Sequence, residues 1–551
     1  MIAMRNLRRQ SAIWIAAFVG LFAFRQLYGL CTEFFFEDET QIFLIGLRAY
    51  ARHAWPYFGA DVVWTKSQIP GALQGLLVAV PLMIAPIPEA PFVLLNVLST
   101  ATLALLAWYI CARLPGLPRW LVWGWLMTIP WTLNFSTSLI NTSYILPGAI
   151  VFFVGFFEAH PRFSLGRLRG PVALFLMGAG LGWEMQIHMS WPLLLPYAGA
   201  VALARAKNGW RSALHDGAAI AAGFAVPGLL LVPTLVVFGP GGFSGGTARN
   251  LHMHLVSPSV LLTTAGRFLA FASLEVIRFI GTDTAKRVVF VSRHLWIAPL
   301  LAVVWAVGIV HPLFMVWQWF RRRHPDRGDW PAMRLLVAAT ILLVFSAYFF
   351  VMEPPQAHAF YVVSPVAMVF AAYCWSYIDR PRWRRVAAVV LGVNIVFHLG
   401  LALAMAPDRS LYKNRAVVAA AVTERNTNLF AHRREYAKDA IAGVDDVARC
   451  NPGSEIAFVA PTWSIGPGRS ILWSVTVYNA SSTRAYRDLW FQTHYDDAAG
   501  HEVFTRNGFV LDVFQPGESR AVEINDGSAD AAYSKARIEL LWVETLEPLK
   551  K

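Results

Sequence analysis

The first apolar segment of the chain leads directly into the stretch Glu33-Phe34-Phe35-Phe36-Glu37-Asp38-Glu39-Thr40. Carboxylates at the end of a membrane helix are costly to hold near the low dielectric of the bilayer unless they are solvated, paired or used. We therefore predict that Asp38 and Glu39 form the reactive centre and that Glu37 faces solvent. The alternative is a solvated acidic collar that only marks the outer end of the first helix.

The composition around this stretch is that of a membrane protein with several spans. Of the 551 residues, 56% are hydrophobic and only 15% are charged, and several apolar runs have membrane-spanning length. The formal net charge of +13 does not indicate a nucleic-acid partner, because Lys and Arg form short clusters between apolar runs, as in cytoplasmic loops. The four cysteines lie far apart, so neither a disulfide framework nor a cysteine metal site is predicted.

The distribution of basic residues sets the topology. If the short apolar run 73–84 does not cross the membrane, five clusters of Lys and Arg fall on the cytoplasmic side, as the positive-inside rule favours. They lie at 113–119, 162–169, 205–211, 321–334 and 380–385. The N-terminus is then cytoplasmic and the C-terminal domain periplasmic. Eleven transmembrane helices are predicted, at 12–31, 91–111, 120–138, 143–159, 171–185, 189–205, 216–238, 294–318, 333–352, 357–377 and 386–405. Two of them, 171–185 and 189–205, are short for a bilayer that needs about 20 apolar residues.

The chain divides into three predicted parts. Residues 1–405 form the helical membrane domain, whose two large periplasmic loops are 33–90 and 239–293. A helical linker follows at 406–450. Residues 451–551 contain runs of alternating apolar and polar residues separated by turn sequences, which predicts an all-β sandwich that resembles immunoglobulin-like and fibronectin-like modules.

Two helices are predicted inside the outer loops. Gln41 to Arg52 has apolar residues at helical spacing, as in an amphipathic helix that lies in the membrane interface. Val260 to Ile280 also has helical periodicity and is predicted to pack along the membrane surface.

Further candidate residues lie near the outer ends of later spans. His188 follows Trp183-Glu184-Met185-Gln186, and His358 lies between Glu353 and Tyr361. For His188 the favoured interpretation is an interfacial side chain hydrogen-bonded to backbone, and for His358 it is a functional one.

Two other polar features have structural interpretations. Arg25, late in the first span, either pairs with the acidic stretch or extends its side chain to the interface, and the second is favoured. His252, His254 and Glu275 lack a third ligand at convincing spacing, so no metal site is predicted there.

The first outer loop as a whole resembles a known family. It contains Phe36-Glu-Asp-Glu39, Trp55-Pro-Tyr57, Asp61, Lys66 and Pro70. This pattern resembles the N-terminal region of the GT-C glycosyltransferase superfamily, in particular the protein O-mannosyltransferases and the lipid A aminoarabinose transferases. The sequence departs from that pattern in two places: Ala54 replaces the usual turn glycine, and three residues separate Lys66 from its proline.

The resemblance implies a membrane glycosyltransferase with a GT-C-like helical fold. It would transfer a sugar from a polyprenyl-phosphate donor to a glycan, lipid or protein acceptor on the periplasmic face of a bacterial inner membrane. The roles it implies are a general base at Asp38 and a phosphate-binding group at Lys66, with His358 and Tyr361 helping to hold the donor. It leaves open a divalent cation such as Mg²⁺ or Mn²⁺.

The chemistry of such a transfer agrees with these roles. The reaction needs a base for the acceptor hydroxyl and cations or donors for the departing phosphate, in a dry cleft at the membrane surface. Glu39 would orient the acceptor or Asp38, and Asp61 is a further candidate. Inversion is expected because no second carboxylate is placed for a covalent intermediate.

Two other classes of function fit parts of the sequence. A transporter or lipid flippase would show inverted repeats and buried charges near the midplane, whereas no internal repeat is visible and the candidate polar residues collect at one face. A non-catalytic scaffold that presents the C-terminal β domain to a partner is the third interpretation.

Overall fold

The computed structural model describes residues 2–32, 36–53, 55–62, 67–238, 253, 255–281, 284–321, 324, 328–350, 357–378, 380–409, 411, 415–425, 449–450, 455–465, 470–528 and 532–546. The chain forms two compact units, Met1–Arg425 and Asn426–Lys551. The first is helical and the second is built from strands. Residues 406–425 of the predicted linker therefore belong to the helical unit.

The helices are numbered in chain order. They are α1 Ile2–Cys31, α2 Phe36–Arg52, α3 Leu73–Ile84, α4 Ala90–Arg113, α5 Arg119–Thr128, α6 Pro130–Thr137, α7 Ile145–Ala159, α8 Gly170–Met185, α9 Leu195–Arg205, α10 Trp210–Gly228, α11 Val232–Phe238, α12 Ser259–Ala270, α13 Thr284–Arg293, α14 Ala298–Trp319, α15 Trp330–Ala347, α16 Ser364–Ser376, α17 Pro381–Met405 and α18 Arg415–Glu424. Short 3₁₀ helices lie at Asn141–Tyr144, Trp191–Leu194, Ala206–Asn208, Leu229–Leu231, Ile277–Phe279, Leu295–Ile297, Tyr348–Phe350, Ala357–Val363 and Ala406–Asp408.

Eight helical stretches within the described ranges are long and apolar enough to cross a membrane. They are Trp14–Cys31, Ala90–Arg113, Asn141–Ala159, Trp210–Val237, Leu295–Trp319, Trp330–Phe350, Ala357–Ser376 and Pro381–Met405. Each coincides with a predicted span. The three other predicted spans are also helical, but α5 and α6 break the segment 120–138, while α8 and α9 are short. The predicted fold class, a polytopic helical membrane protein with a β domain, is confirmed.

The break between α5 and α6 has a specific cause. Pro130 has no backbone N–H, and the preceding Ile129 is extended, with ψ of 143°, as residues before proline prefer. The interruption leaves the carbonyl groups of 126–128 without their helical donors. Each of the three accepts a hydrogen bond from a side chain: Leu126 from Thr132 Oγ1 at 2.6 Å, Met127 from Arg25 Nη1 at 3.1 Å and Thr128 from Asn394 Nδ2 at 2.9 Å.

Arg25 is therefore an internal structural side chain of the membrane domain. It is fully buried and also donates to Asn96 Oδ1 at 3.3 Å, to the Thr132 carbonyl at 3.2 Å and to Ser136 Oγ at 2.6 Å. The prediction that Arg25 extends to the interface was wrong, because the broken helix offers carbonyl acceptors inside the protein.

The first outer loop folds as a helix, a β-hairpin and a second helix. The predicted helix Gln41 to Arg52 is confirmed within α2. Its side chains from 41 to 50 are all buried, so this part of α2 has no polar face exposed at the surface. The hairpin pairs β1 (Phe58–Val62) with β2 (Ser67–Pro70) and was not predicted. Gln74 of α3 fixes the hairpin, since its Oε1 accepts from the Ala60 N–H at 2.9 Å and its Nε2 donates to the Ile187 carbonyl at 2.9 Å.

The second outer loop enters the helical core. The predicted helix from 260 to 280 begins as expected in α12, but α12 ends at Ala270. The residues that follow are mostly buried, and the carbonyl of Ala272 accepts a hydrogen bond from Trp125 Nε1 at 2.9 Å. The prediction of one continuous surface helix was therefore wrong in its second half.

The second unit is a two-sheet sandwich of antiparallel strands, as predicted. Its strands are β3 Arg449–Cys450, β4 Ile456–Ile465, β5 Ser470–Asn479, β6 Ala485–Asp496, β7 Glu502–Phe514, β8 Ser519–Ser528 and β9 Lys535–Leu546. One sheet has the order β3-β9-β6-β7 and the other β4-β5-β8. Ile456 and Val477 of the smaller sheet pack with Phe491 and Val543 of the larger one, so the core lies between the sheets.

Candidate functional site

Glu39 lies near the start of α2 and is held in a buried ion pair. Its Oε2 accepts from Arg409 Nη1 at 2.6 Å and its Oε1 from Arg409 Nη2 at 3.2 Å. The backbone N–H of Leu139 also donates to Oε1, at 3.3 Å. A carboxylate with both oxygens engaged in this way is fixed in position, which favours an orienting role for Glu39 over proton transfer.

Arg409 belongs to the segment that follows the last membrane helix, 370 residues from Glu39. Its remaining donors reach the carbonyls of Leu30 at 3.0 Å and Gly29 at 3.4 Å, in the last turn of α1. Its guanidinium also lies 5.4 Å from the ring centre of Phe92. One side chain thus connects the end of α1 to the start of α2.

Several sequence-predicted residues fall outside the described residues or have only their backbone described. Lys66 and Glu353 lie outside, as do His252 and His254. Glu37 and Asp38 lie in the first turn of α2, and Asp61 lies in β1 opposite Gln68. The roles predicted for these side chains stay predictions.

An aromatic cluster follows the helix break. Trp131, the second residue of α6, stacks on Tyr361 with ring centres 5.7 Å apart and on Phe135 at 5.1 Å. Phe271 and Phe279 of the second outer loop contact it edge-on, at 4.7 and 5.5 Å. The Tyr361 hydroxyl donates to the Trp131 carbonyl at 3.2 Å. The structure therefore places the predicted residue Tyr361 in a packed aromatic wall.

One basic side chain lies on this wall and a second lies near it. The guanidinium of Arg278 is 5.0 Å from the centre of the Trp131 ring, within cation–π range. Glu275 binds both of them, accepting from Trp131 Nε1 at 3.2 Å and lying 3.6 Å from Arg278. Arg267 is close enough to affect Arg278 electrostatically and takes part in no ion pair among the described residues. We call Arg267, Arg278, Glu275 and Trp131 the outer basic cluster.

The pKa of Arg278 reflects this concentration of positive charge. Burial lowers the pKa of Arg278, Glu275 opposes that shift, and Arg267 and Arg287 lower the pKa further. Like charges held together are favourable only when an anion compensates them. Positive charge is therefore concentrated at this cluster, and Glu275 compensates part of it.

The two predicted histidines lie beside this cluster. His358 is the second residue of the 3₁₀ helix Ala357–Val363. Its ring centre lies 6.3 Å from that of Phe135, and it is within electrostatic range of Arg278 and Arg267. His188 is near enough to His358 for the two to interact. The structure thus brings His188, His358 and Tyr361 to one region.

His188 is a neutral, hydrogen-bonded side chain. Its Nδ1 accepts from the backbone N–H of Ser190 at 3.2 Å and is 2.8 Å from the Ser190 hydroxyl. Burial, and to a lesser extent His358, lowers the pKa of His188 to about 3. This is the arrangement expected of a histidine with a structural role.

Metal-binding side chains do not gather in the part of the chain that the structure describes: no three His, Cys, Asp or Glu side chains there are placed to hold a metal ion.

The outer basic cluster was missed at the sequence level, although a signal existed. The second outer loop contains two acidic residues, Glu275 and Asp283. Its basic residues are Arg249, Arg267, Arg278, Lys286, Arg287 and Arg293. An excess of positive charge on a loop that is predicted to be periplasmic opposes the positive-inside rule and so indicates a use for this charge. Arg409 gave no comparable signal.

Comparison with known proteins gives limited similarity. No protein-family model and no curated protein matches the sequence. Among solved structures, the arabinosyltransferase EmbB from Mycobacterium smegmatis matches with 12% identity and a TM-score of 0.39, over 96% of this chain and 64% of that chain. The alkylpurine DNA glycosylase AlkC from Pseudomonas fluorescens, bound to DNA, matches with 13% identity and a TM-score of 0.19, over 82% of this chain and 99% of that one.

The chain thus spans less than two thirds of the arabinosyltransferase. Both TM-scores are below 0.5, so neither structure is used to assign the fold or the site. Both are assigned from the contacts within this chain.

Proposed function

We propose that this protein is a membrane glycosyltransferase that uses a polyprenyl-phosphate-linked sugar. It would transfer the sugar to a glycan, lipid or protein acceptor of the cell envelope on the periplasmic face of a bacterial inner membrane. In this topology the N-terminus is cytoplasmic and the C-terminal β domain periplasmic. Asp38 is the general base of the proposed reaction.

The observation that supports this proposal is the outer basic cluster. A polyprenyl-phosphate sugar carries a phosphate anion between an apolar chain and a sugar ring. Arg guanidinium groups bind phosphate oxygens through paired N–H donors, and Arg278 with Arg267 supplies two such groups beside the aromatic wall. A site with these components fits the donor better than it fits a neutral substrate.

The proposed reaction is a single displacement at the anomeric carbon. Asp38 accepts the proton of the acceptor hydroxyl as its oxygen forms the new bond to the anomeric carbon. The bond between that carbon and the phosphate oxygen breaks at the same time, and the electron pair leaves on the polyprenyl phosphate. Arg278, together with Lys66 and His358 as predicted from the sequence, would stabilise the departing phosphate. One displacement inverts the configuration of the sugar.

A transporter is the second candidate, and the broken helix α5–α6 is the observation that favours it. Transporters often use broken helices whose free carbonyls coordinate a substrate ion. Here the three freed carbonyls of 126–128 already accept hydrogen bonds from Thr132, Arg25 and Asn394. These carbonyls thus already have partners within the protein, and transfer chemistry is preferred.

Mass spectrometry of the cell envelope tests the proposed function. Glycans and polyprenyl-phosphate sugars would be compared in the native host, a deletion strain, and a strain expressing Asp38→Asn at the native level. We expect one glycan modification to disappear in both altered strains while one lipid-linked sugar accumulates. A deletion that changes the envelope while Asp38→Asn behaves as wild type would refute the assignment of the base and favour transport.

A further inference from the structure

The residues that follow the last membrane helix contact the first outer loop repeatedly. We call 406–425 the post-membrane segment; the structure describes it at 406–409, 411 and 415–425. Three of its arginines bind residues of the loop: Arg409 binds Glu39 at 2.6 Å, Arg415 binds Glu89 at 2.7 Å, and Arg425 Nη1 lies 2.9 Å from His53 Nε2. These contacts span the loop from its first helix to its last residues.

The contacts differ in burial, and the buried one is at the acidic stretch. The side chain of Arg409 is 0% exposed and that of Glu39 8%, whereas the side chain of Arg415 is 50% exposed. Exposed ion pairs contribute little to stability, but a buried pair is strongly coupled to the position of its partners, since breaking it strands a charge away from water. Arg409 therefore dominates the contact between the two segments.

Arg409 also forms hydrogen bonds to residues on both sides of 33–35. Its guanidinium donates to the carbonyls of Gly29 and Leu30 at the end of α1 and to both oxygens of Glu39 in α2. The first turn of α2, which contains Asp38, is thus tied to the end of α1. A planar guanidinium with donors pointing in several directions can make this connection, whereas an ammonium group cannot make it with the same geometry.

We infer that the post-membrane segment fixes the first outer loop on the membrane domain, and that Arg409 is a positioning residue for the reaction proposed for Asp38. The positioning role rests on the proposed function; the structural attachment does not. A general base must be held within a fraction of an ångström of its productive position, and a displacement of about 1 Å can cost about a hundredfold in rate. Arg409 would act through Glu39 and α2 without contacting the substrate.

The test uses the full-length protein in detergent with three variants, Arg409→Ala, Arg409→Lys, and the exchange Glu39→Arg with Arg409→Glu. Arg205→Ala is the matched control, because Arg205 also makes a two-point contact with a carboxylate, Asp216, at 2.7 and 2.9 Å. Hydrogen–deuterium exchange of residues 36–53 reports the attachment. The rate of sugar transfer is measured with the polyprenyl-phosphate-sugar fraction extracted from the deletion strain.

We expect Arg409→Ala to speed exchange at 36–53 and to lower kcat about a hundredfold, with the KM for the donor fraction nearly unchanged. Arg409→Lys should lose less, the charge exchange should recover part of kcat, and Arg205→Ala should match wild type in both measurements. A fall in kcat without a rise in KM indicates positioning rather than lost donor binding. General unfolding would also lower the apparent kcat, and faster exchange confined to residues 36–53 distinguishes the two.

Two results would overturn the inference, and they are separable from failure of the proposed function. Unchanged hydrogen–deuterium exchange at 36–53 in Arg409→Ala would refute the attachment of the first outer loop by the post-membrane segment, whatever the activity of the protein. A wild-type kcat in Arg409→Ala, with Asp38→Asn inactive, would refute the positioning role alone. If the wild-type chain transfers no sugar, or Asp38→Asn retains full activity, the proposed function fails and the positioning role fails with it.

Discussion

Two arginine clusters lie at opposite ends of the membrane domain in the predicted topology, and they are compensated differently. At the cytoplasmic end, Arg113 of α4 donates to Asp329 at 2.8 Å, to the Tyr373 hydroxyl at 2.9 Å and to the Tyr109 hydroxyl at 2.8 Å. Tyr373 also donates to Asp329, at 2.5 Å. We call these four residues the inner arginine cluster. Its charge is neutralised from within the protein.

Among the described residues, the outer basic cluster is compensated less fully. Arg278 faces Glu275 at 3.6 Å, longer than any contact of Arg113 given above, and the ring of Trp131 supplies only cation–π attraction. Arg267 adds a second cation with no ion pair in the described part of the chain. The inner cluster is thus compensated within the protein, which is typical of a structural site, whereas the function proposed above assigns the positive charge of the outer cluster to an anionic donor.

The largest effect is expected at the inner arginine cluster. Arg113→Leu would leave Asp329 without its cation in a largely buried position, which typically costs about 3–5 kcal/mol. Thermal unfolding in detergent should show a clear drop of the midpoint, and the double variant Arg113→Leu/Asp329→Leu should recover part of it. An unchanged midpoint in the single variant would show that the inner arginine cluster does not stabilise the fold. It would contradict the difference drawn between the two clusters.

The next effect is expected at the outer basic cluster and should appear in binding rather than in stability. Arg278→Gln removes a charged hydrogen-bond donor worth about 1.5–3 kcal/mol, which corresponds to a rise of about ten- to a hundredfold in the KM for the lipid-linked donor. Arg293→Gln, at an exposed position of the same loop, is the matched control and should change nothing. If Arg278→Gln were destabilised and kept a normal KM, the outer basic cluster would have a structural role like that of the inner arginine cluster, and the distinction would be contradicted.

The pH dependence of stability sharpens the comparison, because it tests whether His188, which lies near His358 beside the outer basic cluster, is neutral in the folded protein. The folded protein keeps His188 neutral down to a pKa of about 3, whereas the unfolded chain protonates it near its ordinary pKa of 6.5. The unfolded state thus binds more protons between these values, so stability falls as the pH drops from about 6.5 toward 3. His188→Gln should reduce that decline in melting experiments. Equal declines in both proteins would contradict the neutral histidine.

The smallest effect is expected at the exposed pair Arg415–Glu89. Arg415→Ala should change the free energy of unfolding by no more than about 1 kcal/mol, because exposed ion pairs rarely contribute more. Thermal unfolding at low and high salt measures this. A loss comparable to that of Arg113→Leu would mean that exposure does not separate structural from dispensable arginines in this protein.

The fold was largely predictable because its signals are local. Membrane helices follow from apolar length, and the strands of the sandwich follow from alternation between turns, which are properties of neighbouring residues. The hairpin β1–β2 was missed because its strands have five and four residues and little alternation. Pro130 was a local signal for the break in the span 120–138 that the apolar length of the segment concealed.

The site was less predictable because its contacts are not local. Glu39 and Arg409 are 370 residues apart, and Arg25 binds acceptors up to 111 residues away. The rule that an interfacial arginine extends to water failed for Arg25, since only the folded structure shows that carbonyls freed by the helix break lie closer. Tyr361 and His358 were predicted near the site, but the arginines beside them come from a different loop.

Native mass spectrometry of purified protein with undecaprenyl phosphate tests the central claim most directly, because it asks whether the outer basic cluster binds a lipid phosphate. The comparison uses the wild-type protein, the double variant Arg267→Gln/Arg278→Gln and the control Arg293→Gln. We predict that the wild type and the control bind undecaprenyl phosphate equally and that the double variant loses most of the bound lipid. Equal binding by all three proteins would contradict the assignment of the outer basic cluster as the phosphate site.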